Sequence, residues 1–576
     1  MKETIIILGA GVMQGPVIET AKESGFYTAV LDGSSSAPCI SMADRFEQID
    51  LKDKEGIEAF AQSIQGKTSR LGIMTAGTDF SASVAWTAEK LGLPGIPYQA
   101  ALNASDKSRM RECFRKAALP SPDFFTITAF DNSSALLNDA RYRFPLVIKP
   151  VDNMGSRGCR RVDSIDEFKQ AVKEAIGYSR SGRAIAEIYM DGPEFSVDAI
   201  VHHGEITICG LADRHIFFPP YFIEMGHTMP AVIEEEKQTA LLDTFKDGIR
   251  ALGLSGKESI GAAKGDIKLT SSGPMIGEIA ARLSGGYMSG WTYPYSCGAL
   301  PVKAAILMAM GYEPQGLIPQ KKWTCAERAF ISIPGTVKQI LSIRDTGNFA
   351  VSLGSEIGKE QSADKNINNV FLRIKEGDKV AFPVNNVSKC GNIIASAPQR
   401  DDAVKTAENA VRSILIRLDP NDIKTHEFLF IETQTEACQF IEKGKYEFPP
   451  NAFELADNLK SELNLLPEYI NTVNEQELSR IKEEMKSESP RAYQRNDLWS
   501  IIPFNAFQSS GLTDYMGRTV QEALDAVRML TGLTLPIACE NAENILMLGR
   551  SFWAALIRGS YQGAVYYIDV LEKRIE

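Results

Sequence analysis

Cysteine is sparse in this chain of 576 residues and nowhere paired. Its nine cysteines occur singly, with no C-x-x-C spacing, which excludes zinc-ribbon and dithiol chemistry. They read as free, mostly buried thiols of a reducing compartment. His202 and His203 have no third ligand at zinc spacing, so they read as an exposed turn between two strands. No apolar run reaches the roughly 20 residues of a membrane span. The opening, Met1-Lys-Glu-Thr-Ile-Ile-Ile-Leu-Gly9, enters a strand with too few apolar residues for a signal peptide. Positive charge is not in excess either: the formal net charge of −11 argues against general binding to nucleic acid or to anionic membrane. The expectation is a soluble cytoplasmic protein with neither partner. Apolar residues at 44% and charged residues at 23% are ordinary for a globular chain, and the length calls for several domains.

What is present begins with a buried strand, Thr4–Leu8, a glycine turn, Gly9-Ala-Gly11-Val-Met-Gln-Gly15, a helix through Ala21, and a second strand ending at Asp32. This is the opening of a doubly wound α/β domain. The glycine spacing, G-x-G-x-x-x-G, differs from the dinucleotide fingerprint. It favours glycines that permit a tight turn and close helix packing, with a nicotinamide site at Gly9–Gly15 and Asp32 as the alternative. After a Pro/Gly linker at Leu93–Pro97, Asp106-Lys107 opens a basic helix. Phe144–Pro150 is a buried strand whose one charged residue is Lys149. Lysine is almost never fully buried unpaired, so Lys149 is expected to face an anion. The next loop holds Gly155, Ser156, Arg157 and Gly158, a composition whose backbone N–H groups can fold over phosphates. Glu187 and Glu194 bracket the turn Met190-Asp-Gly-Pro193.

The most informative stretch is Gly261–Arg282. It reads as two strands joined by Ser271-Ser-Gly-Pro274, with Asp266 on the incoming strand and Glu278 on the outgoing one. A hairpin sets the two carboxylates side by side, the oxygen pair Mg²⁺ needs when it sits on substrate phosphates. Glu224 and His227, three residues apart in a segment without clear periodicity, allow two readings. They lie beside an amine substrate, where the imidazole accepts a proton, or they belong to a packed loop.

In this order, Asp106-Lys107, Val147-Ile-Lys149-Pro150, Gly155–Gly158, Glu187–Glu194, Asp266 and Glu278-x-x-x-Arg282 resemble the ATP-grasp superfamily of carboxylate–amine ligases over about residues 1–415. The segment Arg214–His227 looks most like L-amino-acid ligases; biotin carboxylase and carbamoyl-phosphate synthase are more distant. The resemblance implies ATP and Mg²⁺ (or Mn²⁺) as cofactors and small-molecule carboxylate and amine substrates. It implies Lys107 and Lys149 on the phosphates, Gly155, Ser156, Arg157 and Gly158 as a lid, and Glu187, Ile188, Tyr189 and Met190 along the adenine. Glu194 would meet the ribose, Asp266 and Glu278 the metal, and Arg282 and Lys264 the acyl phosphate and γ-phosphate. Many relatives carry Asn two residues after the second metal carboxylate; here that position is Ala280, which leaves the number of metal ions open.

The expected architecture is α/β and α+β multidomain. It comprises a Rossmann-like N-terminal domain (1–105), an ATP-grasp core (106–320, two lobes divided near 185), a small β-rich domain (321–418) and a mixed or helical C-terminal domain (419–576). In the small domain, strands are expected at Ala329–Ile333 and Val370–Ile374, then a helix at Asp402–Ile416. In the last domain, helices are expected at Glu475–Lys486 and Val520–Leu530, with no chemistry assigned and homo-oligomerisation left open. The function these features imply is a ligase that activates a carboxylate as an acyl phosphate and joins it to an amine. Carboxyphosphate chemistry of the carbamoyl-phosphate-synthase kind, a non-catalytic ATP-binding protein and a nicotinamide oxidoreductase are the competing readings.

Overall fold

The computed structural model describes residues 1–128, 143–218, 220–342, 365–412, 414–430, 562–563, 565–567 and 569–570. The helices expected at Glu475–Lys486 and Val520–Leu530 lie outside the described residues.

The chain opens with four parallel strands, β1 (Glu3–Leu8), β2 (Tyr27–Asp32), β3 (Arg45–Gln48) and β4 (Arg70–Met74), in the order β3-β2-β1-β4. Strand side chains alternate between faces, and both faces of β1 are covered. Ile5 and Ile7 enter one core with Val17 and Ile18, while Ile6 and Leu8 enter another with Ile57, Phe60 and Ile73. That is why Thr4–Leu8 reads as a continuous apolar run. The glycine turn after β1 is filled from within. Gln14 Oε1 accepts the Gly11 N–H at 3.0 Å, and its amide reaches the Ala76 carbonyl. Asp32 Oδ2 accepts the Ala10 N–H at 2.8 Å. The Ala10 and Gly11 N–H groups of the turn are thus met by the chain's own side chains.

A second sheet, β5-β8-β6-β7, is built from β5 (Phe124–Ile127), β6 (Leu146–Pro150), β7 (Arg160–Val162) and β8 (Ala184–Ile188). Helix Ile165–Tyr178 covers it, capped by Ser164 and packed through Phe168, Ala171, Val172 and Ala175.

The largest sheet has eight strands in the order β13-β12-β9-β10-β11-β14-β18-β16. Its members are β9 (Glu194–His202), β10 (Glu205–Phe217), β11 (Ile223–Met229), β12 (Ile260–Thr270), β13 (Gly273–Ala280), β14 (Thr324–Phe330), β16 (Ile367–Leu372) and β18 (Gly391–Ala397). One face packs on helices Lys107–Lys116 and Glu235–Ala251 through Met110, Phe114, Leu241, Phe245 and Ile249. On the other, Ile200, Ala212, Met229 and Ala262 share a core with helix Pro301–Ala309 and with β1, so the opening sheet is anchored to the large one by continuous apolar burial.

Within the segment expected as a small β-rich domain (321–418), β14, β16 and β18 extend the large sheet beside β11. One expectation changes here. The helix expected at Asp402–Ile416 runs Arg400–Arg412, and β19 (Ile414–Leu418) follows with all five residues buried. The β-branched, apolar run Ile414-Leu-Ile-Arg-Leu418 suits a strand better than a helix end. β19 pairs with β15 (Gly335–Ser342), which also pairs with β17 (Lys379–Val380). The helical residues near 562–570 pack on this small sheet. Arg417 Nε meets Asp569 Oδ2 at 2.6 Å, and Gln562 Nε2 donates to Ile416 O at 2.9 Å.

Gly391 sits where β18 passes between β14 and β16, and a Cβ there would lie 2.1 Å from Phe330 Cζ and 2.3 Å from the Phe371 carbonyl oxygen. Gly391→Ala is expected to destabilise by about 1–3 kcal/mol through overpacking, read as a lower thermal denaturation midpoint.

Candidate active site

The β12–β13 hairpin carries the site's acidic pair. Asp266 lies opposite Glu278 in antiparallel register, with a bulge immediately after Asp266. Alternation sorts β12, and on β13 the bulge that leaves Gly277 unpaired resets it: Ile267, Ile276 and Ile279 enter the core, while Lys264, Asp266, Lys268, Glu278 and Ala280 line a cavity of about 370 Å³. Each carboxylate of the pair is already in cationic company. Lys264 Nζ pairs with Asp266 Oδ2, and Ser196 donates to Asp266 Oδ1 at 2.7 Å. Lys107 Nζ lies 3.4 Å from Glu278 Oε1 and donates to the Asn153 carbonyl at 2.9 Å. Burial alone would raise the Asp266 carboxyl, but Arg214 and Lys264 outweigh it and hold it at about 2. Glu278 is lowered in the same way: its burial is outweighed by Lys107, against a raising contribution from Asp266.

Lys149 on β6 does face an anion. Its Nζ lies 2.7 Å from Glu187 Oε2, and Glu187 Oε1 is held at 2.8 Å by Arg111 Nε. Arg111 Nη2 also donates to the Gly277 carbonyl at 2.6 Å, locking helix Lys107–Lys116 to the β12–β13 hairpin. Arg111 and Glu187 are each 1% exposed in their side chains. Glu187 thus faces two cations, and it lines the cavity together with Ile188, Tyr189 and Met190.

The segment Arg214–His227, without clear periodicity in sequence, is two paired strands, with Arg214 opposite His227. Arg214, which sequence reasoning left without a role, is the hub. Its Nη2 and Nε meet Glu224 Oε2 at 2.8 and 3.0 Å, and its Nη1 reaches Glu194 and, at 3.2 Å, Asp266 Oδ2. Burial opposes its charge, yet Asp266, Glu194 and Glu224 raise its pKa well above the ordinary arginine value. Glu224 is held well below the usual range, its burial outweighed by His227, Arg214 and Lys389. His227 is buried; its Nδ1 lies 3.0 Å from Glu327 Oε2, and its Nε2 lies 3.7 Å from Glu224 Oε2.

The glycine loop lines the same cavity through Gly155, Ser156 and Arg157. Gly158 does not. It turns away with φ +65°, and a Cβ there would lie 2.9 Å from the Tyr178 ring, so its glycine serves packing. All the other residues expected at the site, from Lys107 to Arg282, line one cavity. Arg214, Lys268, Arg373, Asn386 and Lys389 line it too and were missed. Arg373 follows the apolar run Val370-Phe-Leu372, a signal like that of Lys149, and could have been found by it; Lys389, between Ser388 and Cys390, carries no such signal.

Residues 142–289 match the ATP-grasp domain family, and residues 356–419 match L-amino acid ligase C-terminal domain 2. The chain carries an ATP-grasp domain. Over 236 residues it is 27% identical to an alanine–anticapsin ligase of Bacillus subtilis (strain 168), covering 37% of this chain and 48% of that protein. Over 335 residues it is 23% identical to carnosine synthase 1 of Gallus gallus, covering 54% of this chain and 36% of that one. The chain thus spans half or less of the length of these two relatives. An L-amino acid ligase structure from Bacillus licheniformis shares the fold, with a TM-score of 0.59 at 20% identity over 73% of this chain and 100% of that chain.

The ATP-grasp cavity fits a metal-bound nucleotide by its donor set. Among the described residues no group of three His, Cys, Asp or Glu side chains is placed to hold a metal ion. A divalent cation on Asp266 and Glu278 would therefore complete its shell from phosphate and water oxygens, the habit of Mg²⁺. Arg282 Nε is buried without a hydrogen-bond partner, a cost that an anionic ligand relieves.

Glu187 gives the site a measurable signature. Burial raises its carboxyl, but Arg111 and Lys149 outweigh this and hold it at about 2, below the ordinary 4.5. A lowered folded pKa contributes stability that is full above the unfolded value and is lost as pH falls from about 4.5 toward 2. Glu187→Gln strands the buried Arg111 charge and is expected to cost about 3–5 kcal/mol. Denaturant melts should show the variant less stable at pH 7, with a flatter pH dependence in that window.

Proposed function

We propose that the protein is an ATP-dependent carboxylate–amine ligase, and the observation that carries this is the Asp266–Glu278 register pair facing Lys107, Lys149, Lys264 and Arg282 in one cavity. Bringing a carboxylate to a phosphate joins two anions, so positioning and charge neutralisation dominate the barrier. Lys107, Lys149 and Lys268 would hold the phosphates; Ile188, Tyr189, Met190 and Ile216 would line the base, and Glu194 the ribose. Mg²⁺ (or Mn²⁺), held by Asp266 and Glu278, would supply neutralisation of the phosphate oxygens. Arg282 and Lys264 would orient the carboxylate. Its oxygen attacks the terminal phosphorus as the bond to the ADP oxygen breaks. The amine nitrogen then attacks the acyl carbon, phosphate leaves, and the nitrogen's proton passes to a base. Glu224 and His227, which line the same cavity, would hold the amine and accept that proton.

The opening parallel sheet is read as the Rossmann-like unit of residues 1–105, binding no dinucleotide, with Met13 and Gly77 as its share of the cavity wall. Residues 106–320 form the grasp, and 321–418 complete it. The seven free cysteines among the described residues support a cytoplasmic location. No helix among the described residues is long and apolar enough to cross a membrane.

With Mg²⁺ and ATP, panels of amino acids as carboxylate and amine donors are expected to yield ADP, phosphate and amide in equal amounts. Glu278→Ala should lower the rate by about 100-fold or more. ADP release with bicarbonate alone would favour carboxyphosphate chemistry, and no release with any pair would sink the assignment.

A further inference from the structure

One side chain from the loop before β18 ties two walls of the cavity together. The Asn386 N–H donates to the Gly155 carbonyl at 3.0 Å, and its Nδ2 donates to Ser156 Oγ at 3.3 Å. On its other side, Asn386 Oδ1 accepts the backbone N–H of Glu224 at 2.7 Å. Two cations steady this arrangement: Arg373 Nη1 reaches the Asn386 carbonyl at 3.4 Å, and Lys389 Nζ donates to the Glu224 carbonyl at 2.7 Å. The loop needs such support. Gly155 and Ser156 both have positive φ, +67° and +58°, and an L side chain holds that conformation only where its surroundings over-determine it. Ser156 Oγ supplies a further tie, donating to the Phe222 carbonyl at 2.8 Å, just ahead of β11.

We propose that Asn386 is a positioning residue that locks the Gly155–Ser156 loop to the strand carrying Glu224 and His227, so that the phosphate side and the amine side of the cavity close as one unit. This rests on the ligase reading. An acyl phosphate is lost to water unless the loop over it stays shut until the amine arrives. A carboxamide suits the position because it donates to the loop and accepts from β11 at once; an aspartate would lose the donor.

The test uses the full chain. Two quantities are read: ATP cleaved per amide formed, and hydrogen exchange of amides 154–157 with Mg²⁺ and a non-hydrolysable ATP analogue. Asn386→Ala is expected to slow amide formation by about 10- to 100-fold. It should also raise ATP cleaved per amide above one and speed loop exchange in the nucleotide complex. Ser156→Ala, on a loop whose loss of one hydroxyl does not threaten folding, should move both readouts the same way by less. Added to Asn386→Ala, it should contribute less than it does alone, since the hydrogen bond between the two is already lost and only the Ser156–Phe222 bond remains to be removed. An Asn386→Ala protein that keeps one ATP per amide and unchanged loop exchange would overturn the proposal while leaving the ligase reading intact. A wild-type chain that forms no amide, but whose loop is protected by nucleotide only when Asn386 is present, would sink the ligase reading and leave the lock standing.

Discussion

Ionised side chains can be buried only in company, because an unpaired charge removed from water costs more than a domain can supply. This cavity is organised around that constraint. Asp266, Glu278, Glu187, Glu194 and Glu224 each sit against lysine or arginine, and Arg214 alone links three of them. The pairing holds carboxylates and cations in place ahead of any ligand. On the proposed reading, a polyanionic nucleotide with a divalent ion would enter such a lattice by exchanging partners, cation for phosphate and metal for ammonium, with little further charge to desolvate.

The same pairs also join the elements. Arg111 connects a helix ahead of the second sheet to that sheet's β8 and to the hairpin of the large one. Charge compensation and the relative placement of the two lobes are therefore one device. The extension of the large sheet by β14, β16 and β18 brings Arg373, Asn386 and Lys389 to the cavity, so a segment with no chemistry of its own in sequence becomes the wall that ties the glycine loop to β11.

Much of this was legible beforehand. The hairpin at Gly261–Arg282 could be read because its alternation and turn residues are local. Lys149 could be read because a lone charge in an apolar strand needs a partner. Arg214 could not, since an arginine on a strand looks the same whether it meets solvent or three carboxylates. Gly158 was over-read: a glycine in a phosphate-type loop and a glycine under Tyr178 have one letter. The helix expected to run to Ile416 failed because the apolar residues at its end belong to β19, paired with a strand more than 70 residues earlier.

Sequence alone determined which segments pair locally, that Asp266 and Glu278 share a hairpin, and that a cationic, glycine-bearing loop follows Lys149. These are properties of near neighbours, where backbone geometry and side-chain period leave few choices. The tertiary fold decided which charges meet: Arg111 with Glu187, Arg214 with Glu194, Glu224 and Asp266, and Asn386 with Ser156. Those partners lie tens to hundreds of residues apart, and only the packing of sheets against shared cores sets the distances over which their electrostatics act.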